Sequence, residues 1–404
     1  MAEGVISLDD ARAAVVAAAT PLGSVEAALG EALGLHLAQD VAADAALQPF
    51  DNSAMDGYAV RAADLAAARP AAPVSLALAG ESRAGQPASA AVGPGEAIAI
   101  STGAMLPEGS DAVVRVEDTS RADGRVEFLV SPAPGANVRR AGEDVAAGAT
   151  VLRRGAALGP AELGLLAALG IETLDCHRRP RVAVVTSGDE LVPPGEPLPP
   201  GGIRDSNSTM VAALLAAAGA ELHSLGRAGD SLGSTVAALE PALAADALVV
   251  CGGVSVGEHD HVKDAFEQLG IERVFWRVGL RPGGPTFFGR RGETLVFGLP
   301  GNPVSVFATF TLLAAPALAV LAGGSATRRR TAATLATAYE KTTDRAEAVR
   351  CELALAPNGW VATPRPRQGS HVLTSLLGAD CLAIVPPEAR RLEAGATVEI
   401  ELLA

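Results

Sequence analysis

The stretch Ala247-Leu-Val-Val-Cys-Gly-Gly-Val-Ser-Val-Gly257 joins an apolar strand pattern to a glycine-rich turn, in which the glycines free the backbone for close approach to a ligand. Further along the chain, Thr294-Leu-Val-Phe297 leads into Pro300-Gly-Asn-Pro-Val-Ser305 and then into an apolar run. Asn302 is a candidate N-cap, and Pro303 sits where a helix tolerates proline best. Two strand-to-helix turns of this kind predict a binding crevice at the carboxyl edge of a sheet, with helix N-termini facing a phosphate or oxyanion.

The segment around these turns alternates strand and helix patterns at the spacing typical of a parallel sheet with crossover helices. The expected strands are 181–186, 221–226 and 247–251, and the expected helices are 208–218, 232–245, 262–269 and 304–321. The last helix is long enough to raise the question of a membrane span, but its flanking strand and cap signals favour a buried helix.

The flanking segments have different patterns. Ser7-Leu-Asp-Asp10 predicts a capping box that opens a helix over 7–19, and a second short helix is expected over 24–29. Glycine and proline punctuate short β-type runs between 51 and 137, which predicts a small β-domain of hairpins. Similar runs over 331–404 predict a C-terminal β-barrel or sandwich.

The expected fold class is therefore multidomain α/β plus β. It comprises a central α/β domain with a parallel-rich sheet, an inserted β-rich domain, a small helical and extended linker domain, and a C-terminal β-barrel-like domain. The expected domains are 1–48 with 138–178 (linker, whose helix 7–19 is free to pack on the α/β domain), 49–137 (β-rich), 179–327 (α/β) and 328–404 (barrel).

Composition narrows the function classes. A chain of 404 residues predicts two to four domains, and a net charge of -14 argues against a nucleic-acid partner. The four cysteines lie far apart without a CxxC pair, so reduced cytosolic thiols are expected rather than a zinc site or a disulfide framework. The first ten residues lack the basic and apolar regions of a signal peptide. These features favour a cytoplasmic protein without a membrane partner.

The segment Thr186-Ser-Gly-Asp-Glu-Leu191 follows the first strand of the α/β unit. Its Ser-Gly turn offers backbone N–H groups to a phosphate, while Asp189 and Glu190 offer oxygen ligands to Mg²⁺. The alternative is an ordinary helix N-terminus, where acidic residues are favourable anyway.

Gly252-Gly-Val-Ser-Val-Gly-Glu-His-Asp260 gathers backbone amides, a hydroxyl and two carboxylates at one strand end. A phosphate bridged by Mg²⁺ to Asp260 would use all of them. His259 and His261 leave a transition-metal site open as an alternative, although residues two apart do not share a helix face and no third ligand is obvious.

Other segments carry weaker signals. Asp51-Asn-Ser-Ala-Met-Asp-Gly-Tyr-Ala-Val60 is either a functional loop or a polar loop with local Asx turns, and Thr102 follows an apolar strand beside a turn glycine. Arg277 and Arg281 flank a rigid turn, and arginine forks suit tetrahedral oxyanions, although a solvated surface loop would look the same. Arg350 and Gln368-Gly-Ser-His371 would present a second basic and hydroxyl-bearing edge.

Taken together, these segments resemble the molybdopterin molybdenumtransferases, the family that includes the C-terminal domain of gephyrin. The motifs run in order along nearly the whole chain: Asp51–Val60, Ser101-Thr-Gly-Ala104, Arg140-Ala-Gly-Glu-Asp144, Ser187–Leu191, Ile203-Arg-Asp-Ser-Asn207, Gly252–Asp260, Arg281-Pro-Gly283, Leu299–Ser305 and Gln368–His371. Each motif alone is ordinary, and the ordered set is specific.

The resemblance implies an elongated cytosolic homodimer of four-domain subunits. It implies that molybdate is inserted into adenylylated molybdopterin and that the adenylate is hydrolysed with Mg²⁺ to release AMP, a reaction that needs charge neutralisation and an in-line water. It also suggests the molybdopterin adenylyltransferase and apo-molybdoenzymes as partners.

The resemblance also implies roles for single residues. The catalytic positions are Asp56, Thr102 and Asp144, expected to come from the β-domain of the other subunit, together with Glu190 and Asp260, which would also hold Mg²⁺. The substrate-binding positions are Ser187, Gly188, Asp230, Gly252, Gly253, Ser255, Gly257, Pro300, Gly301 and Asn302. The molybdate-binding positions are Arg277, Arg281, Ser305, Arg350 and Ser370.

Two departures from the family pattern matter. The family usually reads Lys-Pro-Gly-Lys-Pro where this chain has Arg281-Pro-Gly-Gly-Pro285. The loss of a cation at Gly284 predicts weaker oxyanion affinity. In addition, His259 and His261 flank Asp260 in place of the more usual alanine or lysine and tyrosine, a change expected to tune the site or to be neutral.

Three alternatives remain at this stage. The chain could adenylylate molybdopterin, although the related single-domain enzymes have nothing corresponding to Asp51–Val60 or to the C-terminal β-domain. It could be a non-catalytic molybdopterin-binding scaffold, although no attached domain or long linker is evident. It could also be a tungstate-preferring homologue, because molybdate and tungstate have nearly the same size and charge.

Overall fold

The computed structural model describes residues 4–254, 261–326 and 330–403. The helices are α1 (Leu8–Ala18), α2 (Pro160–Ala168), α3 (Ser206–Ala217), α4 (Leu232–Ala242), α5 (Val262–Gln268), α6 (Pro303–Thr309) and α7 (Ala315–Leu321). The strands are β1 (Ser24–Ala28), β2 (His36–Leu37), β3 (Val41–Ala42), β4 (Asn52–Ser53), β5 (Gly57–Val60), β6 (Val74–Ser82), β7 (Glu96–Ile100), β8 (Ala112–Arg115), β9 (Thr119–Ala122), β10 (Arg125–Phe128), β11 (Val138–Arg139), β12 (Thr150–Leu152), β13 (Thr173–His177), β14 (Arg181–Ser187), β15 (Leu191–Val192), β16 (Ile203–Arg204), β17 (Glu221–Ala228), β18 (Ala247–Cys251), β19 (Glu272–Trp276), β20 (Leu280–Arg281), β21 (Phe287–Arg291), β22 (Thr294–Leu299), β23 (Arg330–Leu335), β24 (Tyr339–Glu340), β25 (Ala346–Ala356), β26 (Gly359–Pro364), β27 (Cys381–Val385), β28 (Arg391–Leu392) and β29 (Thr397–Leu402).

The chain divides into two compact units. The larger unit comprises Met1–Gln39, Gly155–Gly159 and Thr173–Ala404, and the smaller unit comprises Asp40–Arg154 and Pro160–Glu172.

The centre of the larger unit is a six-stranded sheet in the order β17-β14-β18-β22-β21-β19. The first four strands pair in parallel, and β21 and β19 continue the sheet antiparallel. The predicted parallel-rich sheet is therefore confirmed. Because β17 and β18 lie on opposite sides of β14, the chain reverses its direction of travel across the sheet at the boundary between β14 and β18. Ligand crevices in open α/β sheets form at such switch points.

Both faces of this sheet are buried, which explains why β18 is apolar throughout. Val249 and Cys251 face a core shared with α1, α3, α6 and α7, while Leu248 and Val250 face a core shared with α4 and α5. The N-caps that start the helices match their sequence signals: Ser7 accepts from the Asp10 N–H, and Asp205 accepts from the Ser208 N–H.

The apolar run after β22 is helical from Pro303 to Leu321, with a π-helical turn at Phe310–Ala314 between α6 and α7. It is long and apolar enough to span a membrane by length and composition, but 67% of its most apolar 18-residue window is buried inside the structure. This burial is typical of a core helix and agrees with the prediction from its flanking signals.

The C-terminal strands form a closed five-stranded barrel, because β25 pairs with both β26 and β27 while β23 and β29 complete the ring. This confirms the predicted C-terminal β-barrel. Cys351 and Cys381 face each other across two of its strands, and all four cysteines are free and buried.

The smaller unit is built on a six-stranded sheet in the order β8-β5-β7-β6-β10-β9, which confirms a β-rich domain. It is less purely hairpin-built than expected, because β6 and β7 pair in parallel. Two short antiparallel ribbons, β4 with β11 and β3 with β12, are formed by the segments that precede and follow this sheet in the sequence.

The predicted helix over 24–29 is wrong. Ser24–Ala28 is the strand β1, which pairs antiparallel with β13, and a single 3₁₀ turn follows at Leu29–Glu31. Its alanines favour helix locally, but the edge of β13, far along the chain, decides the conformation.

Candidate functional site: two adjoining cavities in the larger unit

A crevice opens at the carboxyl ends of β14, β18 and β22, at the switch point of the sheet. It encloses about 420 Å³, and the lining residues used below are Ser187, Glu190, Asn207, Gly253, Pro300 and Asn302. The sequence-predicted substrate positions Ser187, Gly253, Pro300, Gly301 and Asn302 thus line one cavity.

The turn after β18 can only be built with glycine. Gly252 and Gly253 have φ values of +93° and +68°, in the left-handed region. A Cβ on Gly252 would lie 2.9 Å from the carbonyl oxygen of Ser187, and one on Gly253 would lie 2.4 Å from Cγ2 of Val262. The turn is therefore packed closely against β14 and α5, and it brings backbone amides to the crevice without side chains in the way.

The carboxylate of Glu190 folds back over Gly188, where a Cβ would meet its Oε2 at 2.4 Å. Asp230 follows β17, and its Oδ2 accepts the backbone N–H of Asp189 at 3.4 Å, while Asp189 Oδ1 accepts the backbone N–H of Asp230 at 3.3 Å. The acidic groups Asp189, Glu190 and Asp230 therefore follow the ends of two neighbouring strands.

The donor chemistry here suits Mg²⁺ in a phosphate site, which takes one or two carboxylates and completes its shell with waters and phosphate oxygens. Within the ranges described, no group of three or more histidine, cysteine or carboxylate residues is placed to hold a metal without such a phosphate. Of the two predicted ligands, Glu190 lines the crevice, whereas Asp260 lies outside the described residues, as do Ser255, Gly257 and His259.

Asn207 is the main crevice residue missing from the predicted set, although it closes the quoted motif Ile203–Asn207. It is 7% exposed, and its Nδ2 donates to the carbonyl oxygen of Gly301 at 2.8 Å. Its buried Oδ1 has no hydrogen-bond partner among the described residues. A buried acceptor without a donor costs free energy, so this atom is poised for a ligand N–H.

Asn302 occupies the N-cap position of α6 as predicted, but its side chain makes no capping hydrogen bond. The Nδ2 of Asn302 donates to Oγ of Ser370 at 3.2 Å, and the backbone N–H of Val304 donates to the carbonyl oxygen of Ser370 at 3.3 Å. The start of α6 is therefore tied to the loop Gln368–His371, which the barrel supplies.

A second cavity, of about 250 Å³, adjoins the crevice and shares Pro285, Pro300 and Asn302 with it. The predicted molybdate-binding residues Arg281, Ser305 and Ser370 line it. Arg281 also lines a smaller neighbouring cavity of about 170 Å³, together with Arg350.

Arg350 is only 1% exposed, and burial lowers the pKa of its guanidinium. Its hydrogen bonds are long: 3.3 Å to Ser375 Oγ and 3.4 Å to the carbonyl oxygens of Ala348 and Gly369. In the described part of the chain, no carboxylate lies within ion-pair distance of it. A buried cation without a close counter-ion is a strong anion attractor.

Glu347 was not found from the sequence. It is 4% exposed, and its carboxylate accepts from Arg281 at 3.2 Å, Tyr339 at 2.9 Å and Thr343 at 3.1 Å. Burial and the Glu347 charge raise the pKa of Tyr339. Its only sequence signal is a charged residue inside the apolar strand pattern of β25, which by itself does not distinguish a buried from an edge position.

Arg277 is the molybdate-binding candidate that the structure places apart from these cavities. It has a left-handed φ of +79°, and its guanidinium stacks over the ring of Trp276 at 5.2 Å from the centroid. It is exposed and does not line either cationic cavity.

The remaining predicted catalytic residues belong to the smaller unit. Asp56 Oδ1 accepts from both the backbone N–H and the hydroxyl of Thr102, at 2.7 and 3.1 Å. Asp144 is exposed on the loop after β11, the strand that pairs with β4.

Asp51 joins the start of the motif Asp51–Val60 to the loop that carries Asp144. Its carboxylate accepts from Arg140 at 2.6 Å and from the Ala141 N–H at 2.8 Å. These two hydrogen bonds, the backbone one first, lower the pKa of Asp51. The motif Asp51–Val60 therefore contacts both of the other quoted motifs of this unit, Ser101–Ala104 through Asp56 and Arg140–Asp144 through Asp51.

Comparisons with known proteins agree with this architecture. Three family models match in chain order: the MoeA N-terminal region (domain I and II) over residues 6–170, a probable molybdopterin binding domain over 183–320, and the MoeA C-terminal region (domain IV) over 332–403.

Named relatives cover most of the chain. The molybdopterin molybdenumtransferase of Haemophilus influenzae is 38% identical over 92% of each chain, and molybdopterin molybdenumtransferase 2 of Mycobacterium tuberculosis is 44% identical over 73% of this chain and 74% of the relative. The solved structure of the molybdopterin biosynthesis moeA protein from Pyrococcus horikoshii OT3 superposes with a TM-score of 0.85 at 30% identity, over 98% of this chain and all of that one. The chain therefore belongs to the molybdopterin molybdenumtransferase family.

Proposed function

We propose that this protein is a molybdopterin molybdenumtransferase that inserts molybdenum into adenylylated molybdopterin, hydrolyses the adenylate with Mg²⁺, and releases molybdenum cofactor and AMP. One observation carries the proposal. The crevice at the carboxyl edge of the sheet and the cationic cavity are separate but adjoining, since Pro285, Pro300 and Asn302 line both. Such a pair suits a phosphate-bearing organic substrate on one side and a small oxyanion on the other.

In the crevice, the turn after β18 presents the backbone at Gly253, beside which a phosphate would bind. The buried Oδ1 of Asn207 accepts a hydrogen bond from an N–H of the pterin, which has both amide and amino donors. In the second cavity, Arg281 and the hydroxyls of Ser305 and Ser370 hold the oxyanion near the dithiolene.

Glu190 and Asp260 would hold Mg²⁺, which neutralises charge on the phosphoanhydride when it is bound. Asp230, at the end of β17, would contact the substrate on its pterin side. Asp56, Thr102 and Asp144 complete the site in a homodimer, supplied by the smaller unit of the other subunit. We also infer a cytoplasmic location, with the molybdopterin adenylyltransferase as donor and apo-molybdoenzymes as acceptors.

The test measures AMP release from adenylylated molybdopterin with Mg²⁺, with and without molybdate, and the reconstitution of a molybdenum-free apo-enzyme by the product. Molybdate-dependent AMP release together with an active apo-enzyme is the expected result, and Asp260→Asn should abolish both. Tight substrate binding without turnover would instead indicate a carrier or scaffold. A parallel titration with tungstate tests metal preference.

A further inference from the structure

Gly284 stands where the family motif usually has a second lysine, and the structure shows what occupies the vacant space. A Cβ built on Gly284 would lie 2.5 Å from Nη1 of Arg345 and 3.7 Å from its Cζ. The guanidinium of Arg345 therefore lies against the side of Gly284 from which a lysine side chain would leave. Gly284 does not have a left-handed φ, so its backbone accepts any residue and Arg345 alone limits what fits there.

The position of Arg345 is fixed by strand pairing. Strand β20 pairs in parallel with β25, with Leu280 opposite Ala346, and the N–H of Ala346 donates to the carbonyl oxygen of Gly279 at 2.9 Å. Arg345 immediately precedes β25, so its backbone is held beside the turn that carries Gly284.

The turn itself is braced from within. The N–H of Val278 donates to the carbonyl oxygen of Gly284 at 2.9 Å, and the hydroxyl of Thr286 donates to the carbonyl oxygen of Gly283 at 2.6 Å. Arg345 thus meets a turn of fixed shape.

The charge of Arg345 is available to a ligand. Its side chain lines the cavity of about 250 Å³ together with Arg281, Ser305 and Ser370. Across the described ranges, Arg345 has no carboxylate within ion-pair distance. Arg281, by contrast, is paired with Glu347 at 3.2 Å. Arg345 is therefore the cation in this cavity whose charge is not already balanced by a close carboxylate.

We propose that Arg345 is an oxyanion-binding residue that delivers, from the strand entry of β25, the positive charge that Gly284 lacks. The ligand class is a tetrahedral oxyanion with two negative charges, and a guanidinium fork suits two of its oxygens at once. The inference rests on the proposed function, in which that oxyanion is molybdate. It replaces the expectation that Gly284 weakens oxyanion affinity, since the lost lysine is compensated from another element.

The test is a calorimetric titration of the full-length protein with molybdate. Arg345→Ala is expected to weaken binding at least tenfold, and Arg345→Lys by only a few fold because the charge remains. Arg391→Ala is the matched control, since Arg391 is an exposed arginine of the β24–β28 ribbon whose ion pair among the described residues is with the nearby Glu393, and it should bind like the wild type. Circular dichroism checks that each variant is folded.

A double substitution makes the test specific to this geometry. Gly284→Lys alone should change affinity less than twofold, because the new side chain must displace Arg345. In the Arg345→Ala background, Gly284→Lys should restore most of the lost affinity. A wild-type chain that does not bind molybdate refutes the proposed function. Wild-type binding that is undiminished in Arg345→Ala refutes the role of Arg345 alone, and failure of Gly284→Lys to restore binding refutes the compensation.

Discussion

The carboxamide of Asn207 is satisfied on one side only. Its Nδ2 donates to the carbonyl oxygen of Gly301, while its buried Oδ1 has no hydrogen-bond partner among the described residues. A buried acceptor without a hydrogen bond costs about 1–3 kcal/mol, and a ligand that donates to Oδ1 would remove this cost.

Asn207→Ala is expected to weaken molybdopterin binding about tenfold, because one hydrogen bond is worth about 1–2 kcal/mol and a factor of ten is about 1.4 kcal/mol. The dissociation constant can be measured by equilibrium titration, with urea unfolding to check stability. Asn358→Ala is the control, since Asn358 is exposed in the turn between β25 and β26. Unchanged molybdopterin affinity in Asn207→Ala would show that the free Oδ1 is not a ligand contact.

Glu347 places a negative charge near the proposed oxyanion, which it should repel. Its carboxylate pairs with Arg281 and accepts a hydrogen bond from the Tyr339 hydroxyl. Glu347→Gln should therefore have two opposite effects. The free energy of unfolding should fall by about 1–3 kcal/mol, because charge-assisted hydrogen bonds are lost in a buried place. Molybdate affinity should rise at least tenfold, because the neutral Gln no longer repels the dianion and no longer balances the charge of Arg281.

Urea unfolding and calorimetric titration measure the two effects of Glu347→Gln separately. Glu393→Gln is the control, because Glu393 follows the β24–β28 ribbon and its carboxylate is 70% exposed. Weaker molybdate binding would mean that Glu347 serves chiefly to orient Arg281.

At the scale of elements, the sequence predicts those helices and strands whose conformation is set by local signals or by the periodic spacing of apolar residues. The helices α1, α3, α4 and α5, the buried strands β14 and β18, and the crevice at their ends all follow from capping residues and apolar runs. The sequence predicts a helix where β1 forms, because the partner strand β13 lies far along the chain.

The site shows the same limit. Motif residues at the carboxyl edge were found because each strand end is followed by a recognisable turn. Glu347 and Arg345 are not predicted from the sequence, because the contact of Glu347 with Arg281 and that of Arg345 with Gly284 depend on the parallel register between β20 and β25, which no local pattern encodes. The side chain of Asn302 bonds Ser370 instead of capping α6, because the loop that carries Ser370 comes from the barrel.

The start of β18 is anchored by an ion pair that gives a pH-dependent prediction. Burial alone would raise the pKa of Asp246, but hydrogen bonds from Arg178 and from the Arg181 N–H outweigh it, and the pKa is lowered. A carboxylate whose folded pKa is lowered stabilises the fold above its unfolded pKa of about 3.9, and this contribution disappears as pH falls through the folded pKa.

Asp246→Asn should therefore lower the free energy of unfolding by about 1–3 kcal/mol at neutral pH, and the difference from wild type should begin to shrink as the pH falls below about 4 and disappear below the lowered folded pKa. Urea unfolding between pH 7 and pH 3 measures this. Glu293→Gln, at an exposed position near β22, should show no such pH-dependent difference. A difference that persists unchanged at low pH would contradict the ion-pair origin.

At the scale of the whole molecule, the proposed dimer predicts complementation between two inactive proteins. Asp56→Ala damages the smaller unit and Glu190→Gln damages the crevice, so each homodimer should lack molybdate-dependent AMP release. Random mixing makes half the dimers mixed, each with one intact site, so about a quarter of wild-type activity should return. Coexpression with distinct tags and an AMP assay measure this. No recovery in purified mixed dimers would show that both residues act within one subunit.

The burial of all four thiols has a practical consequence for spectroscopy. Burial raises the pKa of Cys176 and Cys251, and a hydrogen bond with Cys381 together with burial raises that of Cys351, which suppresses the reactive thiolate. The native chain should therefore react slowly with maleimide or spin-label reagents. One cysteine introduced on the surface of each unit would accept a probe with little background. Electron–electron distances between such a pair would then follow the two units during turnover.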